Sequence, residues 1–470
     1  MASSAAASAA IIVRTRRLLG LTSPSRVAIL VAALFGLASF VRDAILLWRF
    51  GFYTFPDTQG YLKGDAFRSR PYPVMAWLTN AIHHPENLVW LQLVMGAVAT
   101  ATLVWVVWRS SRKLAAAIGT LFILDIGWAT NNRQLLSEGA FVSFSVLTLA
   151  VFGYQYEKRR QLRPLALVLA GCLFAWTCTI RPSNVYLLIP IAGAYLVFTR
   201  SWSKTAWLSA GMTVLLLASA WLTLVQAGRF RVGGPTGYFV SFPLFSYQVF
   251  SPANGAASVQ IDNALRACDP DPGYSKISIA TSNQYLWGEY FGCLHNEQGW
   301  SDDRIDQTFT AAYVEAIRAH PQEWLRSWGG WFVIGLGYPP QEVLNYTYKA
   351  LIHGSYMREL WQRINPNPNG DAGLYRAMSS QGSLSWEYVL AVAIVWLAIL
   401  GLIIFRTAGT VRVLALGAVV FVVYTCATVP AGHVFLPRYV EVLSPMHALL
   451  AVVLLMIAGE FLYRLRYRRT

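Results

Sequence analysis

Asp57, Glu138, Arg181 and Arg438 each stand beside the end of an apolar run in this chain of 470 residues. A carboxylate at such a boundary meets a falling dielectric, which lifts its pKa toward that of a general base able to take a proton from an alcohol. An arginine there can grip a phosphate through two parallel N–H bonds. Two acids and two arginines converging at one face would therefore suit an anionic lipid headgroup with a nucleophile activated beside it. Each residue also has a plainer use. Asp57, followed by Thr58 and Gln59, reads as a helix N-cap. Glu138 opens an apolar run and reads as a first-turn acid on a helix dipole. An arginine at this depth can snorkel to the interface.

The elements that would hold these residues are membrane spans. The chain is 55% hydrophobic and 13% charged, with a mean hydropathy of +0.43, which excludes an ordinary soluble domain and predicts an all-α polytopic membrane protein. Ten windows are apolar enough: 27–48, 88–108, 114–130, 141–156, 164–180, 185–198, 206–225, 388–405, 411–429 and 446–462. No cleavage site follows the first, so it is predicted to stay as an anchor.

The net charge of +15 reads as topology and not as nucleic-acid binding, because the basic residues fall in short clusters between apolar runs. One set of connections holds Arg14, Arg16, Arg17 and Arg26; Arg109, Arg112 and Lys113; Lys158, Arg159, Arg160 and Arg163; Arg200 and Lys204; Arg406 and Arg412; and the tail from Arg464. Glu157 is the acid among those loops. By the positive-inside rule these connections and both termini are cytoplasmic.

The opposite loops, 49–87, 131–140, 181–184, 226–387 and 430–445, then face outward. The predicted order is a cytoplasmic segment 1–26, spans one to seven over 27–225, an extracytoplasmic domain over 226–387, and the last three spans with a basic tail over 388–470. High Arg and Ala content favours a bacterial inner membrane. In the long outer segment the spacing predicts an amphipathic helix over 306–331, with Trp324, Trp328 and Trp331 on one face. Such a face suits either a membrane interface or a small soluble core. Cys268 and Cys293 share this segment and are predicted to pair in an oxidising compartment, whereas Cys172, Cys178 and Cys426 lie in apolar runs. Outside the membrane there is no ATP or nucleotide sugar, which restricts any chemistry there to donors that carry their own activation.

The motifs and their order resemble a family. Pro56-Asp57-Thr58-Gln59-Gly60-Tyr61 after the first span, Arg70-Pro71-Tyr72-Pro73 before the second and Ser137-Glu138 opening the fourth are similar to GT-C membrane glycosyltransferases. So are Arg181-Pro182, His320-Pro321-Gln322-Glu323-Trp324-Leu325 and Arg438-Tyr439. The branch resembled contains protein O-mannosyltransferases and the aminoarabinose transferase that modifies lipid A. The resemblance covers most of 27–450. It implies a GT-C core with juxtamembrane helices in the first outer loop, a mixed, partly helical outer domain, and inverting transfer of a sugar from polyprenyl phosphate to an outside glycan, lipid or protein. It implies Asp57 as the base, Glu138 as a second acid of the site, and Arg181 or Arg438 on the phosphate, with Tyr61, Arg70, Arg133 and Tyr439 as further binding residues. The family often has a second acid directly after the first, where this chain has Thr58. That departure leaves a divalent metal open and makes Asp65 a rival base. No spacing resembles a zinc site.

Two other classes compete. An O-antigen ligase or polymerase would take a lipid pyrophosphate and lean on arginines and a histidine of the large loop, where His295, His320 and His353 stand. A transporter or flippase would place polar groups along a path through the membrane. Asp125 lies well inside a span and Arg42 and Asp43 in the outer part of another, but the sequence has no inverted repeat.

Overall fold

The structure is a computed structural model that describes residues 24–52, 54, 58–63, 70–233, 236–277, 284–337, 386–432 and 443–467. Asp57, Asp65, His353, Arg438 and Tyr439 lie outside the described residues. Among the described residues there are helices and no strands, and the chain is an all-α integral membrane protein.

Among the described residues, seven helices are long and apolar enough to cross a membrane. They are α1 (Pro24–Phe50), α4 (Pro85–Trp108), α7 (Ser137–Glu157), α10 (Trp202–Ala227), α15 (Trp386–Arg406), α16 (Gly409–Gly432) and α17 (Ser444–Tyr467). At 1.5 Å per residue the shortest of these rises about 30 Å, the thickness of a hydrocarbon core. The shorter apolar pieces are α5 (Arg112–Leu124) with α6 (Ile126–Asn132), α8 (Pro164–Ile180), and a 3₁₀ turn (Pro182–Leu187) leading into α9 (Leu188–Thr199). Two small helices, α2 (Thr58–Lys63) and α3 (Pro71–Leu78), occupy the first long connection.

The predicted third span, 114–130, is not one helix. It breaks at Asp125, whose backbone is extended (φ −73°, ψ 97°). The Asp125 carboxylate accepts the Trp128 N–H at 3.0 Å and so starts a new helix. A short polar side chain has here displaced a rung of the backbone ladder. The carbonyls left over at the break are taken by Arg42 of α1, whose Nη1 donates to Phe122, Ile123 and Asp125 at 2.6, 2.7 and 3.2 Å.

Helices α8 and α10 meet without side chains between them. A β-carbon at Gly171 would lie 2.0 Å from the Leu208 carbonyl oxygen, and one at Gly211 would lie 2.1 Å from that of Val168. Small residues at reciprocal positions let two backbones touch where burial of oily surface gives no net drive.

A second core is built from α11 (Thr236–Ser246), α12 (Ala256–Cys268), α13 (Asp302–Ala319) and α14 (Pro321–Gly337). Phe242, Phe245, Ile261, Leu294, Ile305 and Phe309 fill it. Cys268 at the end of α12 is disulfide-bonded to Cys293, 25 residues on. Glu315 of α13 caps α12 by accepting the Ala257 and Ser258 N–H groups at 3.0 and 2.9 Å. Burial pushes the Glu315 carboxyl up, but those amides and the Ser258 hydroxyl outweigh it and hold the group below its usual range.

The helix expected over 306–331 is two helices, α13 and α14, divided at His320. Pro321 has no N–H to donate and excludes helical backbone from the residue before it, which sits at φ −129°. Trp324 and Trp328 do share a face, stacked 6.0 Å apart. That face is turned inward: Trp324 donates to the Tyr313 hydroxyl at 2.9 Å and Trp328 to the Ala427 carbonyl of α16 at 2.8 Å. Tyr247 and Tyr313 donate to the carbonyls of Pro430 and Ala431. The second core is thus pinned to the C-terminal end of α16.

Candidate active site

The residues predicted to do chemistry depend on where α1, α4, α7 and α8 begin and end. Helix α4 starts with proline at its first position, and α7 starts at Ser137 after an extended Leu136. From the last two residues of α6 toward α7 runs a buried polar turn: Asn131, Asn132, Arg133 and Gln134 are each at most 1% exposed. A β-carbon at Gly139 would lie 2.3 Å from the Asn131 carbonyl oxygen. The turn is therefore wedged against the first turn of α7, and glycine is the residue that permits it.

Glu138 sits in that first turn, 4% exposed. Its Oε1 lies 3.9 Å from Nη2 of Arg181 at the end of α8. The contact is longer than a charge-assisted hydrogen bond. The Arg181 guanidinium also lies over the Phe141 ring at 5.6 Å. Ser137 donates to Glu138 Oε2 at 3.3 Å and shares a 3.0 Å hydrogen bond with the Tyr61 hydroxyl of α2. Thr58, at the start of α2 and next to Asp57 in sequence, donates to the Leu135 carbonyl at 3.0 Å. Helix α2 is thus laid against the start of α7, next to Glu138.

Tyr61 and Tyr72 meet edge to face with centroids 5.2 Å apart. Tyr72 is fully buried and donates to Gln92 Oε1 at 2.8 Å. Burial, with Tyr61 and Glu138 adding to it, pushes the Tyr72 phenol well above its ordinary range, so it acts as a neutral donor. Gln92 in turn donates to the carbonyls of Asn132 and Gln134 at 3.0 and 2.9 Å. Sequence reasoning missed Gln92. The available signal was a single amide within two turns of the start of an otherwise apolar span.

Of the sequence-predicted residues, Tyr61, Glu138 and Arg181 come together. Arg133 follows the same turn but is aimed elsewhere: its Nη1 donates to the Leu46 and Gly51 carbonyls at 3.1 and 3.4 Å, and its guanidinium faces the Phe50 ring. It ties the end of α1 to the turn. Arg70 is 1% exposed at the N-terminus of α3, beside Tyr72. Of the loop histidines, His295 and His320 lie beside the second core. His320 pairs with Asn254 at 3.0 Å, and His295 contacts Tyr238 at 2.8 Å and the Trp300 carbonyl at 3.0 Å. Among the described residues no three His, Cys, Asp or Glu side chains gather as metal ligands would.

A buried carboxylate beside a guanidinium, under a tyrosine-bearing loop at a helix-bundle end, can bind an anion and steer a hydroxyl. No curated protein and no solved structure matches the chain. Residues 69–223, less than half of the chain but including Gln92, Glu138 and Arg181, match the model of the dolichyl-phosphate-mannose-protein mannosyltransferase family, which supports a membrane glycosyltransferase of GT-C type.

Proposed function

We propose that the chain is an inverting glycosyltransferase that moves a sugar from a polyprenyl phosphate to a hydroxyl of an envelope glycan, lipid or protein on the outer face of the membrane. The observation that carries this reading is the meeting of Glu138, Arg181, Ser137 and Tyr61 at one end of the bundle. In the proposed reaction Asp57 takes the acceptor proton as the acceptor oxygen bonds to the anomeric carbon. The bond from that carbon to the phosphate oxygen breaks, and polyprenyl phosphate leaves with one more negative charge. A cation placed where that charge grows stabilises the transition state more than the ground state. Arg181 is suited to it because its contact with Glu138 is loose enough for a phosphate oxygen to compete. Arg438 and Tyr439 are assigned to the same donor. Glu138 holds the guanidinium in place, and Tyr61 with Arg70 borders the acceptor path. Loss of water from the closed site protects the donor from hydrolysis.

The test uses purified protein in lipid nanodiscs with a panel of radiolabelled polyprenyl-phosphate sugars and an envelope extract as acceptor. Transfer with inversion at the anomeric carbon is expected, and Asp57→Asn should lower kcat about a thousandfold. Transfer from lipid pyrophosphate donors alone would replace this reading with the ligase one. Full activity in Asp57→Asn with loss in Asp65→Asn would move the base to Asp65.

A further inference from the structure

The Arg42–Asp43 pair is the most costly feature of α1. A charged pair in a span is retained only where it is satisfied by neighbours and does something for the protein. The two side chains form a 2.6 Å ion pair, with Asp43 fully buried. They then face different ways. Asp43 Oδ2 accepts the Asn132 side-chain N–H at 2.8 Å. Asn132 belongs to the end of α6, and its backbone carbonyl accepts from Gln92, which accepts in turn from Tyr72. That branch runs from α1 to the turn under Glu138 and on to the first connection. Arg42 holds the carbonyls of the α5 break, including that of Asp125. The Asp125 carboxylate accepts from Ser444 Oγ at 2.5 Å, at the start of α17. That branch ends two residues from 433–442, the segment containing Arg438 and Tyr439.

We propose that Arg42 and Asp43 are positioning residues that lock three places into one register: α3, through Gln92 and Tyr72; the turn between α6 and α7, through Asn132; and the start of α17, through Asp125 and Ser444. The break in the third span is then a functional joint. It frees backbone carbonyls for Arg42 to hold, which a continuous helix would not offer. The pair touches none of the residues assigned to the reaction, so its effect on transfer is through their placement. The functional half of this inference rests on the glycosyltransferase reading; the mechanical half does not.

Two variants separate the halves. Asp43→Asn removes the charge at the centre of the network. Gln92→Met removes one branch at nearly constant volume and serves if the first variant does not fold. Hydrogen exchange on full-length protein in nanodiscs is expected to quicken in 70–78 and 126–137 for both variants, and in 443–447 for Asp43→Asn alone, with α8 and α10 unchanged. Exchange that changes only beside the substituted residue would overturn the coupling. With a polyprenyl-phosphate donor, kcat should fall roughly a hundredfold in Gln92→Met, the scale set by misplacement of about 1 Å, while donor KM stays within about twofold. In Asp43→Asn both constants should worsen, because the start of α17 is loosened as well. Equal loss of kcat alone in both variants would reduce the pair to a scaffold for the second connection. If no donor is turned over by the unmodified protein, the glycosyltransferase reading fails while the exchange result still decides the coupling.

Discussion

The two ends of the helix bundle treat charge in opposite ways. At the end where α1 finishes and α7 starts, Asp43, Arg133 and Glu138 are buried, and besides near neighbours they meet partners far away in sequence: Asn132 meets Asp43 across 89 residues and Arg133 meets Leu46 across 87. At the end where α4 and α7 finish, the ion pairs are more exposed. Arg109 pairs with Glu157 at 2.8 Å with both side chains 28% exposed, and Arg464 pairs with Glu460 one turn away with both more than half exposed. Charges held in fixed geometry at real desolvation cost are the kind a reaction site uses. Charges left in water set topology and need no particular partner. One bundle therefore carries a precise end and a permissive end, and substitutions should tell them apart.

The sharpest contrast is expected from Arg42. Arg42→Leu leaves Asp43 charged and buried without its counter-ion and strands the carbonyls of the α5 break. Breaking one side of a buried pair costs about 4 kcal/mol, which should appear as a large fall in thermal midpoint in detergent. A fall no larger than that of Arg109→Gln would erase the difference between the ends. A smaller but cleaner effect is expected from glycines. Gly139→Ala puts a methyl against the Asn131 carbonyl and should cost about 2 kcal/mol by overpacking. Gly459→Ala in α17, where a β-carbon meets nothing within 4 Å, should be neutral or slightly stabilising, since alanine is the better helix former. Both can be read in the same thermal scan.

This asymmetry also explains what the sequence makes legible. Apolar windows of the right length locate the long bundle helices, because a span must satisfy its own backbone in lipid. The third window misleads because hydropathy averages over Asp125, and the break there is set by one carboxylate and by Arg42, some 80 residues away in sequence. The helix over 306–331 misleads for a similar reason: apolar spacing continues through His320 while Pro321 forbids one continuous ladder. Glu138 and Arg181 stand out as charges beside apolar runs, so they can be nominated from sequence. Gln92 stands out only as a lone amide in an apolar span, and the partners of Gln92 and Asn132 are not legible, since periodicity reports which face of a helix is apolar and not which distant turn a single amide will reach. Asp57, Arg438 and Tyr439 lie outside the described residues, and their roles rest on motif order alone.

The smallest expected effect tests the permissive end directly. Arg464 and Glu460 are 64% and 57% exposed in the last turns of α17, where solvent screens the pair and two long side chains lose entropy in holding one geometry. Arg464→Gln should change stability by less than about 0.5 kcal/mol, within the scatter of a thermal midpoint. It should also leave orientation unchanged, because Arg466, Arg468 and Arg469 remain on the same side of the span. Orientation can be read by labelling a cysteine placed in the tail from either side of a sealed vesicle. A large loss of stability on removing this one charge would mean that the tail docks specifically on the bundle, and the basic end would then be as geometric as the other.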